Sequence, residues 1–170
     1  LLLGLAGCAK SPEDQLKEQV ELGMKYLEEG NYEEAVSAFD AAIAINPKRA
    51  DLYASRGDAY VGLIKAFSNA DVDLEELDET DRTYFDNASS DYRKAMELDP
   101  SNADNYLKLA DILEKIGDLD GASDVIADGA DHTSGELDEK KEEIEKKKQD
   151  EEKTDTAWAE ELYNALENQD

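Results

Sequence analysis

The chain has 170 residues and is strongly acidic, because 44 aspartates and glutamates stand against 18 lysines and arginines and give a formal net charge of −26. This length fits one domain of ordinary size. The charge argues against a nucleic-acid-binding role, which requires a basic face, and against electrostatic attraction to anionic lipid headgroups. It favours solubility and suits basic partners or cations.

The chain opens with an apolar run that ends at its single cysteine, Cys8. The run is far shorter than the roughly 20 residues that a membrane span needs, and residues 1–7 have the character of a signal-peptide remnant. Leu5 to Cys8 resemble the lipobox of bacterial lipoproteins, which implies a diacylglycerol on the Cys8 thiol and a short tether at residues 8–11. We therefore expect a lipid anchor on the extracytoplasmic side of a bacterial envelope, in the outer membrane or on the outer face of the plasma membrane.

Residues 16–49 carry the pattern of a helical hairpin. Ser11, followed by a proline and two acids, is typical of the start of the first helix. Gly30 marks the turn, and Asn31 with Glu34 predicts a cap on the second helix. A proline ends this hairpin, since the residue before a proline is disfavoured in the helical region.

Key residues of this hairpin return at fixed intervals. Gly23 and Tyr26 recur 34 residues later as Gly57 and Tyr60, and second-helix residues recur after 53, which is 34 plus a 19-residue insertion. The recurring residues are Leu22, Gly23, Tyr26, Ala35, Phe39, Ala42 and Pro47 in residues 16–49; Tyr53, Gly57, Tyr60, Ala88, Tyr92, Ala95 and Pro100 in residues 50–102; and Tyr106, Leu109, Ala110, Leu113, Ala122 and Ile126 in residues 103–134. Small residues at such positions let two helices approach closely, and large ones fill the space beside them.

The 34-residue period and this residue pattern resemble the tetratricopeptide repeat, TPR. The resemblance implies an all-α fold, a TPR-like α-solenoid of three helical hairpins over residues 12–134 with capping helices after it. The third copy departs most from the pattern, as expected for a terminal repeat. Arg56 stands where the pattern carries a leucine, and Gln19 stands where it carries an aromatic residue.

The insertion, around residues 68–83, is rich in acids. Asp71, Asp73 and Glu75 alternate as in a calcium-binding loop, but the glycine and the final glutamate of an EF-hand are missing. A cation site, a solvated excursion and helices lengthened by extra turns all remain open.

Residues 135–170 are predicted to form a charged capping helix and, after a break at Thr154, a terminal amphipathic helix. The first is stabilised by pairs such as Glu143 with Lys147. The second carries Trp158, Leu162, Tyr163 and Leu166. This apolar face either packs onto the repeats or docks into a groove or another subunit.

No catalytic, cofactor or metal site is predicted, and we do not expect an enzyme. His132 is the single histidine and Cys8 the single cysteine, so neither a zinc site nor a Cys–His pair can be assembled from them. No glycine-rich phosphate loop occurs.

The TPR resemblance implies that the first helices of successive hairpins line a partner-binding groove. Its candidate residues are Lys17, Val20, Met24, Leu27 and Glu28; Asp51, Ala54, Ser55, Asp58 and Val61; and Asp104, Leu107, Lys108, Asp111 and Glu114. Chaperone-binding TPR domains carry a basic and asparagine cluster in this groove. Val20, Met24 and Asp104 replace it here, so we do not expect a chaperone-tail binder.

The sequence therefore predicts a lipid-anchored extracytoplasmic TPR adaptor for a protein or peptide partner with basic and apolar residues. The alternative is an acidic, cation- or solute-responsive surface lipoprotein, with residues 68–83 as its sensor.

Overall fold

A computed structural model describes residues 10–68, 72, 75 and 77–167, with side chains up to residue 164. These residues form helices and no strand, which confirms the predicted all-α, TPR-like fold class. The α-helices are α1 Pro12–Glu29, α2 Tyr32–Ile45, α3 Ala50–Leu63, α4 Glu79–Leu98, α5 Ala103–Lys115, α6 Leu119–Ala130 and α7 Asp138–Glu167. Cys8 and the predicted signal-peptide remnant lie outside the described residues. None of the described helices combines the length and apolar composition that crossing a membrane requires.

The chain divides into two compact units, Leu1–Asp99 and Pro100–Asp170. In the first unit α1 packs against α2 and α3 against α4, while α2 also packs against α3. In the second unit α5 packs against α6, and α6 packs against α7. The three predicted hairpins are therefore present as α1–α2, α3–α4 and α5–α6.

Both helices of the first hairpin start as predicted, but only the first has a side-chain cap. The Ser11 side chain caps α1 by accepting a hydrogen bond from the Asp14 N–H at 3.1 Å. Asn31 makes no capping bond, and its amide instead donates to Glu29. Asn31 is the N-cap residue of α2 as predicted, but the capping hydrogen bond expected from its side chain is absent, and its backbone (φ −88°, ψ 70°) lies outside the extended conformation that an N-cap usually adopts.

The predicted turns and helix ends are confirmed. Gly30 and Gly117 have positive φ angles of 73° and 76°, a left-handed conformation that a side chain would strain. Asn46 and Asp99, each before a proline, follow the last residues of α2 and α4 and close them with a backbone hydrogen bond.

Glycines facing aromatic rings set the spacing inside the first two hairpins. A Cβ placed on Gly23 would lie 2.8 Å from the Phe39 ring, and one on Gly57 would lie 2.8 Å from the Tyr92 ring. Both rings are buried. The small and large positions read from the sequence therefore pack together.

Several described residues of the insertion pack into the first unit. It lengthens α4 to 20 residues, against 14 in α2, and it forms the connection between α3 and α4. Ile64, Val72 and Leu77 of this connection are buried. The Asp81 carboxylate is also buried, and it accepts hydrogen bonds from the Lys65 and Ala66 amides at 3.1 and 2.8 Å. For the described residues of the insertion a solvated excursion is therefore wrong, and the lengthening of α4 is confirmed.

The predicted break at Thr154 is wrong, because α7 is one helix of 30 residues. The Thr154 hydroxyl donates to the Asp150 carbonyl one turn earlier at 2.9 Å, which satisfies this polar side chain inside the helix. Leu137, just before α7, and Ile144 are buried, so the first half of α7 caps the last hairpin as predicted. Trp158 is 65% exposed, so packing of the second half onto the repeats is wrong.

Candidate functional site

The candidate groove residues of the first unit lie on α1 and α3. Lys17, Met24, Glu28 and Asp51 are exposed; Val20, Leu27, Ser55, Asp58 and Val61 are half-buried; Ala54 is buried. The Ser55 hydroxyl lies 3.9 Å from the Met24 sulfur, so the two helices meet along this face. We call the exposed and half-buried residues of this set the α1–α3 face.

Met24 is the most informative residue of the α1–α3 face. It is 43% exposed, whereas most large apolar side chains of the first unit are at least half-buried. Methionine is flexible and polarisable, and it is common on surfaces that adapt to different partners. Val20 and Leu27 flank it on α1, giving an apolar strip about two turns long.

Two residues of the predicted set serve the fold instead. Ala54 is buried, so its side chain is not available to a partner. Asp58 accepts a hydrogen bond from the Tyr92 hydroxyl at 2.8 Å, which ties its carboxylate to the core of the second hairpin. Asp51 is paired as well, because Arg49 donates two hydrogen bonds to its carboxylate. The acidic character of the α1–α3 face therefore comes mainly from Glu28.

An ion-pair cluster that sequence reasoning missed joins α3 to α4 and α2. The Arg56 guanidinium donates two hydrogen bonds to Asp91, from Nε to Oδ2 at 2.8 Å and from Nη2 to Oδ1 at 2.7 Å, and a third to Asp40. The Asp91 side chain is only 6% exposed and that of Arg56 is 21% exposed. Arg56 also lies over the rings of Tyr53 and Tyr60, 5.8 and 6.0 Å from their centroids.

The pKa values of the cluster follow from pairing and burial. Hydrogen bonds to Asp91 and Asp40 raise the pKa of Arg56, and burial opposes them. Burial raises the pKa of Asp91, because the loss of water outweighs the stabilisation of its carboxylate by Arg56. Burial also raises the pKa of the Tyr60 hydroxyl. The signal in the sequence was Arg56 at a leucine position; its partner could not be read without knowing which residues of α4 face α3.

In the second unit, the α5 candidates differ from the prediction. Asp104 and Asp111 are exposed, whereas Leu107, Lys108 and Glu114 are half-buried. Lys140 on α7 contacts Asp111 at 2.8 Å and Glu114 at 2.5 Å, and Lys147 contacts Glu114 at 2.5 Å. These hydrogen bonds raise the pKa of Lys140 although burial lowers it.

Glu114 is therefore not an acid presented to a partner, because α7 already neutralises it. The sequence does not reveal this pairing, because α7 has only a thin apolar stripe and its lysines are therefore expected to face solvent. Of the α5 set, Asp104 and Leu107 remain the accessible candidates.

The described residues contain no group of three or more side chains able to hold a metal ion. Asp71 and Asp73 of the calcium-like pattern lie outside the described residues. Asp81, a third acid of the insertion, is occupied by backbone amides. His132 is exposed just after α6.

Two family models match this chain. One, described as TPR repeat, matches residues 23–63, and the other, described as tetratricopeptide repeat, matches residues 91–122.

Tetratricopeptide repeats are therefore found in residues 23–63 and 91–122.

The matched segments together span less than half of the chain. The TPR match over residues 23–63 includes most of the α1–α3 face, and the match over residues 91–122 includes all of α5. The connection between α3 and α4 lies between the two segments, which agrees with an insertion inside the second repeat.

Solved TPR structures share this fold. The Sgt2 TPR domain from Aspergillus fumigatus is 17% identical, with 88% of each chain covered and a TM-score of 0.61. The Yersinia enterocolitica type III secretion chaperone SycD, in complex with a peptide of the translocator YopD, is 16% identical, covers 79% of this chain and 95% of that one, and has a TM-score of 0.61.

The first TPR of Spaghetti (RPAP3), bound to the HSP90 peptide SRMEEVD, is 19% identical, covers 78% of this chain and 94% of that one, and has a TM-score of 0.57. At such identities the likeness shows the fold alone. Two of these three structures contain a bound peptide, and TPR proteins typically act as interaction modules rather than enzymes.

Proposed function

We propose that this chain is a TPR adaptor that binds a segment of a partner protein along the α1–α3 face and is held at a bacterial envelope by a lipid on Cys8. The observation that carries the binding part is the exposed Met24 beside Ser55, with apolar neighbours on both helices. Protein-binding hot spots need such an accessible apolar centre surrounded by polar residues.

The charge of the chain determines the chemistry of the partner. The exposed Glu28 borders the apolar strip, Asp51 beside it is paired with Arg49, and the whole chain carries a net charge of −26. An acidic segment would be repelled during approach, whereas one with lysine or arginine beside apolar residues is attracted. The partner segment is therefore basic and apolar, in an extended or helical conformation.

The relatives support peptide binding as a mode but not a shared ligand. SycD and the first TPR of Spaghetti are each solved with a bound peptide. This chain has Val20 and Met24 in place of the cluster expected to hold a C-terminal carboxylate, so its ligand differs from chaperone tails.

The membrane part of the proposal rests on Leu5 to Cys8, which match a lipobox. Lipid anchoring would place the adaptor at the envelope without a spanning helix. Two or more acyl chains give stable attachment, because each buried CH₂ contributes about 0.8 kcal/mol.

The binding part is tested by capture from solubilised envelope of the bacterial host, with the full lipid-anchored chain as bait. Met24→Glu adds one charge at the centre of the α1–α3 face, and Ala44→Glu adds the same charge at an exposed position of α2. Capture should be lost with Met24→Glu and retained with Ala44→Glu. If capture of the partner is retained both in Met24→Glu and in Met24→Glu/Leu107→Glu, the α1–α3 face is not the binding site and α7 becomes the candidate.

The anchor is tested separately by membrane fractionation of the Cys8→Ala variant and of the wild type. We expect the variant to leave the membrane fraction. An unchanged membrane fraction would rule out the lipid anchor without touching the binding proposal.

The cation-responsive alternative has less support. Asp81 is satisfied by two backbone amides, which leaves fewer carboxylates of the insertion for a cation. Calorimetry with calcium tests it: heat of binding together with a raised melting temperature would favour this alternative.

A further inference from the structure

The face of the first hairpin between α1 and α2 carries an open cleft of about 450 Å³. Its lining includes Gln19, Leu22, Tyr26, Glu33, Glu34 and Ala38. None of these residues belongs to the α1–α3 face. We call this feature the α1–α2 cleft.

The internal repeat shows what occupies the equivalent place in the second hairpin. An offset of 34 relates Leu22 to Arg56, and an offset of 53 relates Ala38 to Asp91. In the second hairpin these two positions form the bidentate ion pair. In the first hairpin a leucine and an alanine leave the space open.

The flanking residues correspond as well. Gln19 and Tyr26 correspond to Tyr53 and Tyr60, whose ring centroids lie 5.8 and 6.0 Å from the guanidinium of Arg56. The second hairpin thus holds a cation beside two aromatic rings and a carboxylate. The first hairpin retains one of the two rings, Tyr26. It has no buried acid equivalent to Asp91, but Glu33 and Glu34 lie on the rim.

The same face of the second hairpin is where a helix docks. There α2 packs against α3, and Asp40 of α2 reaches Arg56. Among the described residues, no helix precedes α1 to cover the corresponding face of the first hairpin. The repeat therefore builds a helix-docking surface at α1–α2 that the described part of the chain leaves uncovered.

The rim of the cleft determines the charge of the occupant. Glu33 and Glu34 lie in the first turn of α2, are exposed, and have no basic partner among the described residues. A basic side chain would gain pairing with them and stacking on Tyr26. An apolar side chain of the same helix would cover Leu22.

We propose that the α1–α2 cleft docks a helix of a second partner protein that presents an arginine or lysine beside apolar side chains. A second copy of this chain is disfavoured as the occupant, because its exposed apolar face on α7 is bordered by Glu160 and Glu161 and like charges repel. The site is separate from the α1–α3 face, and neither depends on the other.

The probe is a fluorescein-labelled amphipathic peptide of leucine and lysine, about 18 residues long so that it spans five turns. Its control has the same composition in an order that destroys the apolar face. Binding to the full chain is followed by fluorescence anisotropy at about 0.15 M ionic strength, where exposed long-range attraction is largely screened.

Two variants address the cleft in different ways. Leu22→Arg/Ala38→Asp copies the ion pair of the second hairpin into the first and fills the space without changing net charge. Glu33→Lys/Glu34→Lys reverses the rim at exposed positions, and circular dichroism checks that α2 stays folded, because lysines in the first turn of a helix oppose its dipole. All variants, and the parent with which they are compared, also carry Met24→Glu, because the α1–α3 face is itself proposed to bind a basic and apolar segment. Glu151→Lys/Glu152→Lys reverses two exposed acids of α7 and is the matched control for the rim variant.

We expect both cleft variants to weaken binding of the amphipathic peptide by about tenfold or more relative to the Met24→Glu parent, with Glu151→Lys/Glu152→Lys changing it less than about twofold. The reordered peptide should bind much more weakly. No saturable binding to the Met24→Glu parent, equal binding by the cleft variants, or an equal loss in the α7 control would each overturn the proposal. The first result, together with saturable binding by the wild type, would leave the α1–α3 face intact as a binding site.

Two further outcomes would name another occupant and also overturn the proposal. A wild-type dimer in sedimentation that becomes monomeric in Leu22→Arg/Ala38→Asp would assign the cleft to a second copy. Binding that appears only when the chain begins at Lys10 would assign it to residues 1–9, which lie outside the described part.

Discussion

Replacing Arg56 by leucine tests whether the ion-pair cluster holds the first unit together. The change leaves the Asp91 carboxylate, 6% exposed, without its bidentate partner. Removing one member of a buried ion pair typically costs 3–5 kcal/mol, because a charge remains buried and unpaired. Since Arg56 is partly exposed, we expect the lower end, about 3 kcal/mol of unfolding free energy at pH 7.

The companion variants separate pairing from packing. Arg56→Leu/Asp91→Ala gives the second hairpin the residues Leu22 and Ala38 that occupy these positions in the first. It removes both charges, so it should recover most of the loss and lie within about 1 kcal/mol of wild type. Asp40→Ala removes an exposed partner and should cost less than about 1 kcal/mol.

The pH dependence gives the prediction its sign. The pKa of Asp91 is already raised by burial, so the folded state holds its proton to higher pH than the unfolded chain. Stability therefore falls as pH rises from the unfolded pKa of about 3.9 through the raised value. Without Arg56 the pKa rises further, so Arg56→Leu should cost most near pH 7 and progressively less toward pH 4.

The assay is urea unfolding followed by far-UV circular dichroism at both pH values. Tryptophan fluorescence is unsuitable, because Trp158 is exposed on α7 and does not report on the first unit. A cost below about 1 kcal/mol that is the same at pH 4 and pH 7 would refute the reasoning. So would a double variant as unstable as Arg56→Leu alone.

Three further predictions concern packing, the C-terminal helix and ligand choice. Gly57→Ala should lower stability by about 1–2 kcal/mol in urea unfolding, because its Cβ would lie 2.8 Å from the buried Tyr92 ring; unchanged stability would show that the ring moves aside. Lys140→Met should speed amide hydrogen exchange in α7, because it removes the ion pairs that hold α7 against α5; equal exchange rates would reject the role of this lysine. In the wild type these ion pairs should persist below about pH 10.4 and weaken as pH rises through the raised lysine pKa. The peptide SRMEEVD should show no saturable binding in fluorescence anisotropy, because Val20 and Met24 replace the expected carboxylate-binding residues; tight binding would contradict our choice of ligand.

The hairpins were predictable because their signals are local. Helix ends lie at Gly30, Gly117 and the residues before prolines, where backbone conformation is set by one or two residues. The small and large core positions recur with the repeat, so one hairpin predicts the next. Gly23 and Gly57 accordingly face rings at the same distance.

The tail was predicted less well. A run of polar residues around Thr154 predicts a break in the helix. The Thr154 hydroxyl instead donates a hydrogen bond to the preceding turn, and the helix continues. Glu114 reads as a groove acid, but two lysines from α7 reach it. Such contacts join residues far apart in the chain, and periodicity carries no information about them.

The sequence by itself determined the number of hairpins, their turns and the packing of small against large residues, because each depends on neighbours within a few turns. Only the tertiary structure decided which charges meet and which surfaces stay uncovered. Arg56 finds Asp91 across two helices, whereas Leu22 and Ala38 leave the matching place in the first hairpin open. The repeat fixes where such positions lie, but the side chains that occupy them and the helix that covers them are settled by three-dimensional packing.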